Sequence, residues 1–277
     1  MAQKTKISWC DATFNPWIGC VEVGGIRRDG DGKPNAAAAG CANCYARIHG
    51  ERMGWAEWGV RTPRHITSES TWKQPRAWNR KAAKSGKRMR VFCASLSDVF
   101  ENHPGVVEAR KRLFALIKET PNLDWLLLTK RPQNILSMLP PDWGEGGYDN
   151  VWLGTSVEDM RVAHRLDKLR AVPAAIRFVS YEPALGPIDQ ANVDGIHWLI
   201  CGGESGGAHW RPMDEAWATA MRDRCKQLGV AFFFKQHAGK HSGMQPTLQG
   251  VKHHAWPRSR RLRKQRVQTG VGATKTE

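Results

Sequence analysis

Short apolar runs recur along the chain, separated by longer polar or amphipathic stretches. Residues 90–95 (RVFCAS), 124–129 (DWLLLT), 151–155 (VWLGT), 176–180 (IRFVS), 196–201 (IHWLIC) and 230–235 (VAFFFK) read as strands. Most are continuously apolar, as expected of parallel strands covered on both faces. Between them, 106–118, 133–138, 159–169 and 214–228 read as helices, the last closed by Gly229, a residue suited to a helix C-terminus. Regular alternation of strand and helix predicts right-handed βαβ units. The expected fold is α/β, a full or partial parallel β/α barrel related to the TIM barrel.

Just past the apolar runs stand Ser97 and Asp98, Lys130 and Arg131, Ser156 and Glu158, Glu182, Glu204, and Lys235 and Gln236. In parallel barrels the carboxyl ends of the strands open on one face, where the connecting loops build the active site. Polar residues at so many strand ends therefore predict a rim around a shared pocket, and an enzyme. Lys130-Arg131-Pro132 either holds an anionic group there or meets solvent.

Composition sets the surroundings. The chain has 277 residues, 41% of them hydrophobic, enough for one sizeable core. A single barrel domain is expected over 1–251, with a flexible insertion at about 21–40 that is rich in Gly, Ala and charge, and a basic tail over 252–277. No apolar run approaches the ~18 residues of a membrane span, and residues 1–6 lack the apolar stretch of a signal peptide. A cytoplasmic location without a membrane partner is the corresponding expectation. The net charge of +16 favours a polyanion, and nucleic acid is the expected one. Arg258, Arg260, Arg261, Arg263, Lys264 and Arg266 concentrate that charge in the tail. Of the 13 tryptophans, six (Trp9, Trp17, Trp55, Trp58, Trp72 and Trp78) fall early in the chain. Most are expected in the core, although such a surface would also stack on bases.

Seven cysteines, an odd number, do not suggest a disulfide framework. Cys41-Ala-Asn-Cys44 places two thiols close enough to share a metal centre, and Trp17-Ile-Gly-Cys20 brings a third through a glycine turn. Three thiols leave one iron of a 4Fe-4S cluster without a protein ligand. With Cys10 as a fourth, the same residues suit a closed zinc site. Spacing alone does not separate these two readings. Cys93 and Cys201 lie within strand runs and are expected in the core, whereas Cys225 has no evident partner. The ten histidines include no HExxH pattern.

Several segments resemble a phage-associated family of unknown function with a three-cysteine motif, related to the radical S-adenosylmethionine enzymes. They are Thr13-Phe-Asn-Pro-Trp-Ile-Gly-Cys20, Cys41-Ala-Asn-Cys44-Tyr45-Ala46, Ser95-Leu-Ser-Asp98-Val-Phe100 and Leu128-Thr-Lys-Arg-Pro132. Gly154-Thr-Ser-Val-Glu158, Ser180-Tyr-Glu-Pro183, Gly202-Gly-Glu-Ser205-Gly206 and Phe234-Lys-Gln236 complete the likeness. The resemblance implies a partial, radical-SAM-like β/α barrel, a 4Fe-4S cluster on Cys20, Cys41 and Cys44, and a phage or mobile-element setting. The cysteines depart from the CxxxCxxC spacing of the wider enzyme class, the first gap being far longer. Gly202-Gly-Glu204 resembles the motif that holds the amino group of S-adenosylmethionine, yet it follows a late strand, so Asp98 is expected to meet that group.

Two functions follow as expectations. In the first, a radical enzyme cleaves S-adenosylmethionine and acts on a substrate over the rim, a nucleic acid or nucleotide being the expected class. Tyr45 would line the nucleoside, with Ser95 in the adjoining motif. Asp98, Glu158, Glu182 and Glu204 would bind cosubstrate or substrate, and Lys130 and Lys235 would orient anionic groups. Such an enzyme needs an electron donor, and a protein from a neighbouring gene would be a natural partner. In the second, a zinc-stabilised protein binds nucleic acid without catalysis, and Cys10 is indispensable.

Overall fold

The computed structural model describes residues 5–23, 36–206 and 209–257. Strands β1 (Ala12–Thr13) and β2 (Trp17–Ile18) lead into a 3-10 turn (Ala36–Cys41) and helix α1 (Tyr45–Arg52). Strand β3 (His65–Ile66) pairs antiparallel with β2, and helix α2 (Glu69–Ser85) follows. The remaining elements alternate as expected: β4 (Met89–Cys93), α3 (Val107–Glu119), β5 (Leu123–Thr129), α4 (Ile135–Met138), β6 (Val151–Ser156), α5 (Arg165–Arg170), β7 (Ile176–Tyr181), β8 (Trp198–Gly202), α6 (Glu215–Leu228) and β9 (Ala231–Gln236).

Seven strands form one wholly parallel sheet in the order β1-β4-β5-β6-β7-β8-β9. The sheet curls into a half-barrel with β1 and β9 at its edges, so the barrel is partial rather than full. Gly229 closes α6 with a positive φ of 67°, and Val230 N–H donates back to the Cys225 carbonyl at 2.9 Å, as the sequence predicted. Helix α2 was not anticipated. Its apolar side is only Trp72, Pro75, Trp78 and Ala82, set in an otherwise strongly basic segment with a proline inside it.

Strands β4 to β9 have two apolar faces. The outer face, with Val91, Cys93, Trp125, Leu127, Leu153, Val179, Leu199, Cys201 and Phe234, packs under the helices. The inner face carries Phe92, Leu126, Trp152, Phe178, Trp198, Ile200 and Phe233, which cluster with Trp9 and Cys10. Cys93, Cys201 and Cys225 are core residues. Trp9, Trp17, Trp72 and Trp78 are buried too, while Trp55 is 38% exposed.

Residues 252–257, expected to begin a tail, are part of the fold. Phe234 N–H donates to the His253 carbonyl and Ala255 N–H to the Phe232 carbonyl, which extends the β9 edge. Trp256 then reaches across the half-barrel, 5.2 Å from the Trp198 ring and under the Arg90 guanidinium at 3.7 Å. Aromatic burial at His254 and Trp256 explains why this basic segment stays on the sheet. Most of the expected insertion, 24–35, and the tail from 258 onward lie outside the described residues.

Candidate functional site

Along the inner face, a strict two-residue period continues past the aromatic layer. Leu128 is followed by Lys130, Gly154 by Ser156 and Glu158, Phe178 by Ser180 and Glu182, Ile200 by Gly202 and Glu204, and Phe233 by Lys235. The same side of the sheet is therefore aromatic toward the amino ends of the strands and charged at the carboxyl ends.

A cavity of about 140 Å³ opens at the carboxyl ends of β4, β5 and β6. Cys20, Cys41 and Cys44 all line it, with Tyr45, Ser95, Ser97, Asp98, Lys130 and Arg131. Three local devices bring the thiols there. Gly19 adopts a φ of 109° and donates to the Leu96 carbonyl, turning the chain so that Cys20 faces the cavity. The Asn15 amide holds the opposite wall, accepting from Leu96 N–H at 2.7 Å and donating to Ser95 Oγ at 3.0 Å. The 3-10 turn ending at Cys41 rests on the rim at Gly40, where a Cβ would lie 2.0 Å from Glu158 Oε1.

Charge is closely managed. Asp98 is buried, accepting from Thr129 Oγ1 at 2.7 Å and from Phe100 N–H at 3.0 Å, and pairing with Arg131 at 2.8 Å. Arg131 Nη1 also lies 3.7 Å from Cys20 Sγ. Glu158 is paired with Lys130 and Arg165, each at 2.9 Å. Glu182 pairs with Lys235 at 2.7 Å and accepts from Ser180 Oγ at 3.2 Å. Glu204 takes Arg211 and, at 3.0 Å, Asn43 of the cysteine turn. Tyr45 begins α1 and donates its hydroxyl to the Ser95 carbonyl at 2.8 Å.

Of the predicted residues, the structure thus gathers Cys20, Cys41, Cys44, Tyr45, Ser95, Asp98 and Lys130 around one cavity. Glu158 stands behind Lys130, and Glu204 tethers the cysteine turn. Glu182 and Lys235 pair farther along the rim, outside the cavity wall. Asp98 already holds several donors, so its carboxylate fastens Arg131 rather than waiting for an incoming amine.

Burial pushes the Cys20 thiol well up, against the opposing pull of Arg131. Burial likewise raises Cys41, against the pull of Lys130. Arg211 and Asn43 hold Glu204 below the usual carboxylate range despite burial working the other way. Cys10 does not line the cavity. It packs with Trp9 and Phe92, its Sγ 3.8 Å from the Ile7 carbonyl, and burial raises its pKa to about 12.

The chain matches, over residues 4–269, a family described as "Protein of unknown function (DUF5131)". The protein belongs to this family. No curated protein and no solved structure matches it. The family description carries no activity, so the residues of this member must speak for its chemistry.

Several of them escaped the reading of the sequence. Arg165 and Arg211 are the partners of Glu158 and Glu204, Asn43 ties the cysteine turn to Glu204, and Asn15 sets the 95–98 wall. The inner-face period was the one available signal. It carries the apolar register of each strand onto Lys130, Glu158, Glu182, Glu204 and Lys235.

Among the described residues no three His, Cys, Asp or Glu side chains form a ready-made metal-ligand group. A single tetrahedral zinc requires thiolates ~3.8 Å apart, from Zn–S bonds of ~2.3 Å. A four-iron cluster binds each thiolate on a different iron and tolerates wider spacing. Cys20, Cys41 and Cys44 line the cavity, with Arg131 beside Cys20 and a buried Ser97 Oγ that has no hydrogen-bond partner among the described residues.

Proposed function

We propose that the protein is a radical S-adenosylmethionine enzyme that holds a 4Fe-4S cluster on Cys20, Cys41 and Cys44. One observation carries the reading. Thiols separated by a 20-residue gap in the sequence line a single cavity at the carboxyl end of a parallel half-barrel, where such folds place their active sites. When bound and reduced by an external one-electron donor, such a cluster supplies the electron that cleaves the sulfonium bond of S-adenosylmethionine.

The chain's own groups do the rest. Arg131 and Lys130 place positive charge beside Cys20 and Cys41 and favour their thiolate forms. Asp98 and Glu158 fix those two cations. Ser95, Ser97 and Tyr45 line the wall that would meet the cosubstrate. The Glu182–Lys235 pair and Glu204 extend the polar rim toward the substrate side. Cys10 lies outside the cavity, which favours three sulfur ligands over the four of a closed zinc site. The phage or mobile-element setting belongs to this same proposal and rests on the sequence resemblance.

Anaerobic purification followed by iron, sulfide and zinc analysis tests the reading. About four irons per chain, lost when Cys20, Cys41 or Cys44 becomes Ala and kept in Cys10→Ala, is the expected result. Formation of 5′-deoxyadenosine from S-adenosylmethionine after reduction would complete it. One tightly held zinc, with no iron taken up on anaerobic reconstitution, would overturn it.

A further inference from the structure

Among the described helices, α2 stands apart in its charge. Between Lys73 and Lys84 it carries Lys73, Arg76, Arg80, Lys81 and Lys84, and its one acid, Glu69, is already paired with Arg112. Lys87 and Arg88 follow directly. Arg76 is committed to Glu119 and Arg88 to Asp124. Lys73, Arg80, Lys81, Lys84 and Lys87 are exposed and form no ion pair among the described residues. By contrast, α3 and α6 mix Glu108, Glu119, Glu215 and Asp223 among their cations.

The arrangement on the helix is as telling as the count. At 100° per residue, Lys73, Arg80 and Lys84 fall on one stripe, directly opposite the buried Trp72, Pro75, Trp78 and Ala82. That stripe is about 17 Å long, at ~1.5 Å per residue over its eleven steps. Like charges at i, i+4, such as Arg76 with Arg80 and Arg80 with Lys84, destabilise an isolated helix. Arg80 and Lys84 have no ion-pair partner among the described residues to offset it. A ligand with regularly spaced negative charges relieves this repulsion along the whole stripe.

We infer that the outward face of α2 is a binding surface for the phosphate backbone of a nucleic acid. Its length accommodates about three successive phosphates of one strand, and Lys81 and Lys87 flank the stripe for phosphates alongside. Contacts of this kind set position and affinity rather than sequence preference. The surface stands on charge and geometry alone and holds whether or not the three cysteines bind a cluster.

The test is fluorescence anisotropy with labelled duplex and single-stranded DNA of about 20 nucleotides, titrated between about 50 and 200 mM salt. The full-length chain is compared with a triple variant, Lys73→Gln, Arg80→Gln and Lys84→Gln. A second triple, Lys111→Gln, Lys168→Gln and Lys226→Gln, removes the same charge from other helices. Glutamine suits an exposed helix position, and circular dichroism checks that both variants fold. The α2 triple should lose on the order of tenfold in affinity and flatten the log–log salt slope by roughly two to three, while the second triple changes little. Equal losses in both triples, or no loss in the first, would overturn the assignment. So would binding to anionic phosphatidylserine vesicles with none to either DNA. Iron content, measured on the same preparations, is expected to be unchanged and reports separately on the cysteine cavity.

Discussion

The two ends of the half-barrel's inner face use the same strands in opposite ways. At the amino end, Trp9, Trp198 and Trp256 meet Phe92 and Phe233 in a dense aromatic plug, with ring centroids 4.6–6.2 Å apart. At the carboxyl end the same register points Lys130, Glu158, Glu182 and Lys235 inward as ion pairs beside a cavity. Aromatic packing returns free energy for every Å² buried, whereas buried charges recover little of their desolvation cost even when well paired. The plug therefore stabilises the fold, whereas the paired charges of the mouth add little to it.

The comparison is broken most severely from below. Trp198→Ala removes the ring at the centre of the plug and the Nε1–H bond to the Ala255 carbonyl at 2.9 Å. It should cost about 4 kcal/mol in denaturant unfolding. Glu158→Ala attacks the mouth instead, leaving Arg165 buried and Lys130 half-buried without their carboxylate. A loss of about 3 kcal/mol is expected, recovered in part when Lys130→Met is added, and a double-mutant cycle reads the coupling.

Gly154 sits at the boundary between the two regions. Its missing Cβ would lie 2.3 Å from Cζ of Phe178, so Gly154→Ala should cost about 2 kcal/mol by overpacking. Phe178→Leu in the same chain should restore part of it, measured as a recovered melting temperature.

The gentlest probe is pH. Cys20 and Cys41 have their pKa values raised by burial, partly offset by Arg131 and Lys130. Burial thus favours the protonated thiol over the thiolate that a metal needs, so ligation expels protons. Affinity for thiophilic metal should accordingly rise with pH, by about 1.4 kcal/mol per unit for each proton released. Competition with a chromophoric chelator between about pH 6 and 8 measures the slope. An affinity that is flat or falls with pH would mean that these thiols are not the ligands.

Much of this architecture was legible in the chain, for identifiable reasons. Strands with two buried faces are continuous apolar runs, and β4 to β9 were located within about two residues, the usual slippage of element ends. The rim was legible because strands end where polar residues begin. Helix α2 was not, since two tryptophans, one proline and an alanine must serve as its apolar side in a basic segment. Residues 252–257 were misplaced in a tail because charge dominates their neighbourhood, while the Trp256 ring gains its partners only from the distant strands β4, β8 and β9. Within the site, the sequence pointed to Asp98 as the group that meets the cosubstrate's amine. Only the fold shows it held by Arg131, Thr129 and Phe100.

What the chain alone determined is therefore local and periodic: the alternation that makes a parallel α/β fold, the apolar register of each strand, and the presence of three thiols and a polar rim. Tertiary structure decided which of these groups meet. Cys20 reaches Arg131, Asn43 reaches Glu204, and Lys130 reaches Glu158 through pairings between residues far apart in sequence. Short-range patterning cannot encode such partners, because they depend on how the sheet curls and, for Cys20, on the turn at Gly19. The same holds for Cys10. Its ten-residue distance from Cys20 invited a shared site, and the strand register sent it beneath Phe92 instead.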